Sequence, residues 1–262
     1  ILPDGEHPAV RALRQYRGAD RITPEQARRA RAAYFGLITL MDENLGRILD
    51  ELSAQGLDDN TVVAYTSDHG DMAGEHGLWW KDCFYEGSVR VPMVWSWPKQ
   101  FRTDSRVPTA VSLLDVGETL IDLAGAEPLP GSRGHTLRPL LTTEAEATDW
   151  PDVAFAETCA LGQRPARMIR SGRRELNEHP QLFDLETDPD ENRDLGTSPD
   201  HAEVRQELLT RVMDNWSGEK IEQQVRQHSA GRAIVRKWTA NHPAGQSERW
   251  AMPAGVNYRA KE

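Results

Sequence analysis

Cysteine is scarce. The 262 residues hold only Cys83 and Cys159, and no CxxC spacing. That excludes a disulfide framework and a cysteine-built zinc site, and leaves a single bridge between the two open. Basic residues are outnumbered, 31 Lys and Arg against 41 Asp and Glu, for a formal charge of −10. Nucleic acid and anionic membrane both reward basic surfaces, so neither is expected as a partner. An anionic substrate must instead be met by a local positive site. No run approaches the roughly 18 apolar residues of a spanning helix. The opening Ile1-Leu2-Pro3-Asp4-Gly5 lacks an initiator Met, a basic start and an apolar run, so it is no signal peptide and reads as the middle of a longer protein.

With 38% apolar and 27% charged residues, the chain has the composition of a soluble globular protein. Residues 1–22 read as a loop or short helix. A long helix then starts on strong local signals, with Thr23 as cap, Pro24 at the first position and Gln26 as capping-box partner. Ala27, Ala30, Tyr34, Leu37, Ile38, Met41, Leu45, Ile48, Leu49 and Leu52 recur at helical spacing until Gly56, which predicts a helix covering one face of a sheet.

Thr61 to Thr66 is a short β-rich run of the kind buried on both faces of a parallel sheet. Val91 to Trp97 reads as a second strand stopped by Pro98, and Ser112 to Gly125 as a second amphipathic helix. The stretch Gly131 to Pro151 is rich in Gly, Pro, Thr and acid, and marks a boundary between residues 1–150 and 151–262. Beyond it, Val153 to Glu157, Ala166 to Ser171 and Glu175 to Phe183 read as strands, Asp184 to Leu195 as an acidic turn, and His201 to Ser217 as a helix.

The chemistry concentrates in Thr66-Ser67-Asp68-His69-Gly70, Trp79-Trp80-Lys81 and Tyr85-Glu86-Gly87-Ser88-Val89-Arg90-Val91-Pro92. Open α/β sheets bind ligands beyond the carboxyl ends of their strands, where Asp68 and His69 fall. Neighbours on a strand point to opposite faces, so both reach one ion only if the backbone turns, and Gly70 offers that freedom. Such a pair with further carboxylates would hold Ca²⁺, Mg²⁺ or a transition metal, oxygen-rich company favouring the hard ions. Lys81 beside two tryptophans is a candidate point charge for a sulfate or phosphate oxygen. His76 is a candidate substrate contact, and Glu86 and Arg90 are spaced to pair with each other.

These blocks, with Gly74-Glu75-His76-Gly77, Leu113-Leu114-Asp115-Val116, Leu123-Ala124-Gly125 and Leu182-Phe183-Asp184-Leu185-Glu186-Thr187-Asp188-Pro189-Asp190-Glu191, resemble the second half of the formylglycine-dependent sulfatases of the alkaline phosphatase superfamily. The likeness runs over roughly residues 27–215, in family order. It implies an α/β sandwich with a mostly parallel central sheet flanked by helices, and a small C-terminal α+β subdomain with a short antiparallel sheet. It also implies Asp68 and His69 as ligands of a divalent cation, most often Ca²⁺. Lys81 would be the catalytic sulfate clamp, with His76 and Trp80 beside the substrate.

The resemblance further implies attack of a hydrated formylglycine on the sulfur of a small-molecule or carbohydrate sulfate ester, with release of the alcohol and then of inorganic sulfate. The family makes that nucleophile from the Cys of C-x-P-S-R. Neither Cys83, followed by Phe84-Tyr85, nor Cys159, followed by Ala160-Leu161, matches. The nucleophile is therefore expected in an N-terminal half outside this sequence, which becomes an expected partner.

The run from Ser67 to Lys81 is similar to bacterial choline-sulfatase-like enzymes, and Gln223 to Trp238, with Arg226, Arg232 and Arg236, resembles their C-terminal tail, which implies a homo-oligomer. Trp79, Trp80, Trp238 and Trp250 are candidates to box a quaternary ammonium. The compartment stays open between bacterial cytoplasm and periplasm. Competing readings are a carbohydrate sulfatase, a phosphonate monoester or phosphodiester hydrolase of the same superfamily, and a non-catalytic binding homologue.

Overall fold

The computed structural model describes residues 7–142, 149–159, 164–177 and 181–241. The opening pentapeptide, part of the 131–151 stretch, residues 160–163 and Trp250 lie outside the described residues. The chain divides into two compact units, residues 1–216 and 217–262. No helix among the described residues is long and apolar enough to cross a membrane.

Helix α1 (Pro8–Arg17) ends at Gly18, whose φ of 68° gives a left-handed cap. Helix α2 (Pro24–Ala54) starts on the expected capping box: Thr23 accepts from the Gln26 N–H, and the Gln26 side chain accepts from the Thr23 N–H. At 31 residues it is about 46 Å long. None of those residues is buried, and the apolar stripe faces solvent, with Leu37 and Ile48 each 65% exposed.

Strand β1 (Val63–Thr66) and strand β2 (Met93–Ser96) pair antiparallel, Val63 opposite Ser96 and Thr66 opposite Met93. This corrects two expectations. The pair is not parallel, because the connection between the strands carries only the 3₁₀ turn Glu75–Gly77 and the single turn of helix α3 (Glu86–Val89), rather than a crossover helix that would bring the chain back in the same direction. Nor is β1 buried on both faces, since Ala64 is exposed and its neighbours half-buried. The sheet that α2 was expected to cover is two strands of four residues, about 13 Å long, far too small for its stripe. A single side-chain hydrogen bond recorded between α2 and β1 runs from Tyr65 Oη to Met41 Sδ, at 3.4 Å.

Helix α4 (Leu113–Leu123) has the second capping box, between Ser112 and Asp115, and is followed by the short helix α5 (Arg138–Thr142). The small antiparallel sheet follows, in the order β3 (Val153–Thr158), β4 (Ala166–Ser171), β5 (Arg174–Asn177) and β6 (Leu182–Asp184). The run expected as one strand from Glu175 to Phe183 is thus two, β5 and β6, paired antiparallel with Glu175 opposite Phe183. Helix α6 (Ala202–Met213) closes one face of this sheet over a core of Ile169, Leu176, Leu182, Leu195, Leu208 and Val212.

A second core joins Val10 and Leu13 of α1 to Met72, Leu78 and Tyr85 of the β1–β2 connection and to Phe183 of β6. Residues on both sides of the expected 150/151 boundary therefore share one core. In the second unit, helix α7 (Gly218–Asn241) carries Arg226 paired with Glu222 one turn earlier, at 2.5 Å.

The two kinds of apolar surface predict opposite outcomes. Leu176→Ala, at a fully buried site, should lower the free energy of unfolding of this chain by about 2–5 kcal/mol. Leu37→Ala, on the uncovered stripe of α2, should change it by less than about 0.5 kcal/mol in a urea titration.

Candidate functional site

The site is built where β1 ends. Asp68 is 84% exposed at its side chain, and its Oδ2 lies 3.5 Å from His69 Nε2, so the backbone turn expected there does bring both groups to one place. His69 Nδ1 lies 2.8 Å from the Gly70 carbonyl oxygen. A carbonyl only accepts, so Nδ1 carries the proton, and Nε2 can offer its lone pair on the Asp68 side. This is how metal-binding histidines are commonly oriented, with the second nitrogen tied to a backbone carbonyl.

Gly70 is needed for a different reason from the expected one. Its φ is not in the left-handed region; instead a Cβ there would sit 2.2 Å from the Gly87 carbonyl oxygen. The Gly70 N–H donates to the Ser88 carbonyl at 2.8 Å, so the segment after β1 lies directly on the Tyr85-Glu86-Gly87-Ser88 segment. Gly87 repeats the device, since a Cβ on it would meet Met72 Sδ at 3.1 Å and Glu75 Oε2 at 3.2 Å.

Residues 71–82 form a tight loop between these segments. Asp71 Oδ1 accepts from the Ala73 N–H at 2.9 Å and the Trp80 N–H at 3.2 Å, and the Met72 N–H donates to the Trp80 carbonyl. Sequence reasoning passed over Asp71; the signal was an Asp two residues before a small residue, the pattern of an Asx turn. Ala73, His76, Trp80 and Asp82 all adopt φ between 48° and 77°. For a side chain as bulky as Trp80 this is a genuine outlier, and such strain collects at functional loops held by their surroundings. Here Met72 and Leu78, both almost wholly buried, do the holding.

Lys81 is exposed and forms no ion pair with any described residue. Trp80 beside it is half-exposed, with the Arg17 guanidinium 5.8 Å from its ring centroid, and Arg17 is itself paired with Asp82. Trp79, Trp80, Arg21, Ile22, Gln26 and Ala30 line an open cleft of about 510 Å³.

His76 lies elsewhere: its ring is stacked flat on Tyr85, with centroids 4.1 Å apart, beside the Asp190 backbone. Burial holds this imidazole below its ordinary pKa, against the raising effect of the Asp190 backbone and of the nearby Glu75, Asp188 and Asp190 carboxylates. Glu86 pairs with Arg90 as expected, at 3.3 Å, and also with Arg170 of β4 at 3.3 Å.

Cys83 and Cys159 are free thiols, so the open question of a bridge resolves to none. Burial pushes the Cys83 thiol up to about 12, which keeps it protonated and rules it out as an activated nucleophile. Among the described residues no group of three or more His, Cys, Asp and Glu side chains could hold a metal ion. Asp68 and His69 fit a divalent cation by donor type and tautomer, but they are two donors of the larger set that Ca²⁺ or Mg²⁺ takes.

Comparison with known proteins gives this geometry its context. The Sulfatase family profile matches residues 1–126. The chain is similar to the choline-sulfatase of Rhizobium meliloti (strain 1021), 37% identical over 225 residues that make up 82% of this chain and 43% of that enzyme. Its structure resembles the phosphonate monoester hydrolase of Agrobacterium radiobacter, with a TM-score of 0.66 and 31% identity over 74% of this chain and 42% of that one. It also resembles BT4656, solved in complex with its substrate D-glucosamine-2-N,6-O-disulfate, with a TM-score of 0.61 and 27% identity over 70% and 39% of the two chains. The chain thus spans less than half the length of these proteins.

The Gly70–Gly87 contact predicts a sharp contrast between two glycine substitutions. Gly70→Ala must force the two segments apart and should cost about 1–3 kcal/mol or more in thermal or urea unfolding. Gly36→Ala, mid-helix in α2 with nothing within 4 Å, should be stabilising by about 0.5–1 kcal/mol.

Proposed function

The chain belongs to the sulfatase family, and from that premise we propose that it forms the cation- and sulfate-binding side of a sulfate-ester hydrolase. The nucleophile, a formylglycine, would come from an N-terminal portion outside these residues. The observation that carries this reading is the pairing of Asp68 with His69 at 3.5 Å, on a segment locked by Gly70 to the one that follows Lys81. Asp68 Oδ2 and His69 Nε2 would hold a divalent cation, Ca²⁺ by the family's habit, and that ion would polarise a sulfuryl oxygen as a Lewis acid.

Lys81 is the catalytic residue of this chain in the proposal. An exposed ammonium without a competing carboxylate among the described residues can donate to a sulfate oxygen and stabilise the charge that grows as the S–O bond to the alcohol breaks. The exposed face of Trp80, beside Lys81, is suited to the organic part of the ester. His76 has one ring face covered by Tyr85, which favours a positioning role over contact with substrate.

The uncovered stripe of α2 supports the partner in this reading. Phe35, Leu37, Leu40 and Ile48 are exposed on one helix, the kind of apolar surface that marks an interface. The missing cation ligands and the nucleophile would arrive with the polypeptide that covers it. A choline-like, carbohydrate or other sulfate ester fits equally. A second reading, phosphonate monoester hydrolysis, is favoured by the likeness to the Agrobacterium radiobacter enzyme.

In the intact protein Lys81→Ala should lower turnover of a sulfate ester by about 10²-fold or more. Kinetics unchanged by that substitution would contradict the assignment. A phosphonate monoester turned over faster than any sulfate ester would favour the second reading, and no turnover of either would point to a binding homologue.

A further inference from the structure

Two buried carboxyl groups lie where the small sheet meets the site loop, and neither belongs to the site described above. Glu175, on β5, is 2% exposed, and Glu191, at the end of the turn after β6, is 5% exposed. Glu191 Oε2 accepts from the Glu86 N–H at 2.7 Å, the first residue of α3, whose N–H has no partner within the helix. With both carboxyls ionised, Glu191 Oε1 and Glu175 Oε2 have no donor and no solvent. The two groups meet around the same pair of residues: Glu175 stands opposite Arg170 in the β4–β5 pairing, Arg170 reaches Glu86 at 3.3 Å, and Glu86 is held by Glu191. A buried carboxylate without a donor is costly, and one proton between the two gives both a partner.

The surroundings point the same way. Glu86 of α3 and Asp188 of the turn add negative charge, and Arg170 of β4 supplies the opposing positive charge. Cys83 and Tyr85 face the pair from the loop, and burial pushes each up to about 12, so both stay neutral. The neighbouring His76 lies beside the Asp190 backbone, one residue before Glu191. Burial pushes Glu191 up to about 8 and Glu175 well above the ordinary glutamate value.

We infer that Glu175 and Glu191 share one proton, and that this pair is the latch by which the small sheet holds the segment Tyr85–Arg90, with Glu191 as a positioning residue. An acid whose pKa is raised on folding binds more protons folded than unfolded between the two values. The stability contributed by the latch is therefore greatest at low pH and falls as pH rises from 4.5 towards about 8. That the held segment serves a catalytic site rests on the sulfatase reading; the shared proton does not, and its test needs no substrate.

The test is a carboxyl-carbon NMR titration of this chain and of Glu191→Gln, with amide hydrogen exchange across residues 83–90 in both and in Glu191→Ala. We expect a glutamate resonance with a midpoint above about 7 that is absent in Glu191→Gln, whose amide donates the missing hydrogen bond. Exchange over 83–90 should quicken about tenfold in Glu191→Ala, which leaves the Glu86 N–H without an acceptor, and stay near the parent rate in Glu191→Gln at about pH 7. All glutamate midpoints below about 5.5 would overturn the shared proton, a result independent of whether Glu191→Ala folds. Unchanged exchange in a folded Glu191→Ala would overturn the latch.

Discussion

The candidate site exists because two stretches of backbone touch. Gly70 lies against Gly87, and the Gly70 N–H donates to Ser88, with no room for a single carbon between the chains. That contact fixes where Asp68 and His69 stand relative to the segment following Lys81, and it also forces the intervening residues into a compact loop. The loop's left-handed residues at Ala73, His76, Trp80 and Asp82 are tolerable only because Met72 and Leu78 anchor it in a core shared with α1 and Phe183. The acidic turn then holds the same structure through Glu191, which accepts from the Glu86 N–H.

What was legible in the sequence was what is decided locally. Thr23 with Gln26 announces its helix because a capping box is complete within four residues, and the apolar spacing from Ser112 to Gly125 announces the second. Asp68 and His69 at a strand end, and the Glu86–Arg90 pair, were readable for the same reason. The direction of β2 was not, because an apolar run of four residues carries no record of its partner. Gly70 was recognised as special for its dihedral freedom, whereas the true constraint is the Gly87 carbonyl, 17 residues away. Glu191 was visible only as part of a turn; its bond to the Glu86 N–H, across a separation of 105 residues, is written in no local pattern.

The structure is unequal in its own completeness. The small sheet under α6 is a closed unit, with Ile169, Leu176 and Leu182 fully buried. The other side, around α2 and the β1–β2 pair, presents apolar side chains to water, and the Asp68–His69 pair there offers two donors. A helix of 31 residues gains little from propensity alone and most of its stability from packing, so an uncovered stripe of this length points to a second polypeptide surface. In the proposed reading the same surface brings the further ligands and the nucleophile, so the uncovered stripe and the two-donor pair have one explanation.

That explanation stands or falls on turnover of a sulfate ester by these 262 residues, measured alone and then joined to the complementary portion of the sulfatase fold. The account predicts no hydrolysis by the chain alone and metal-dependent hydrolysis once the two are combined. Hydrolysis at the same rate by the chain alone would contradict it.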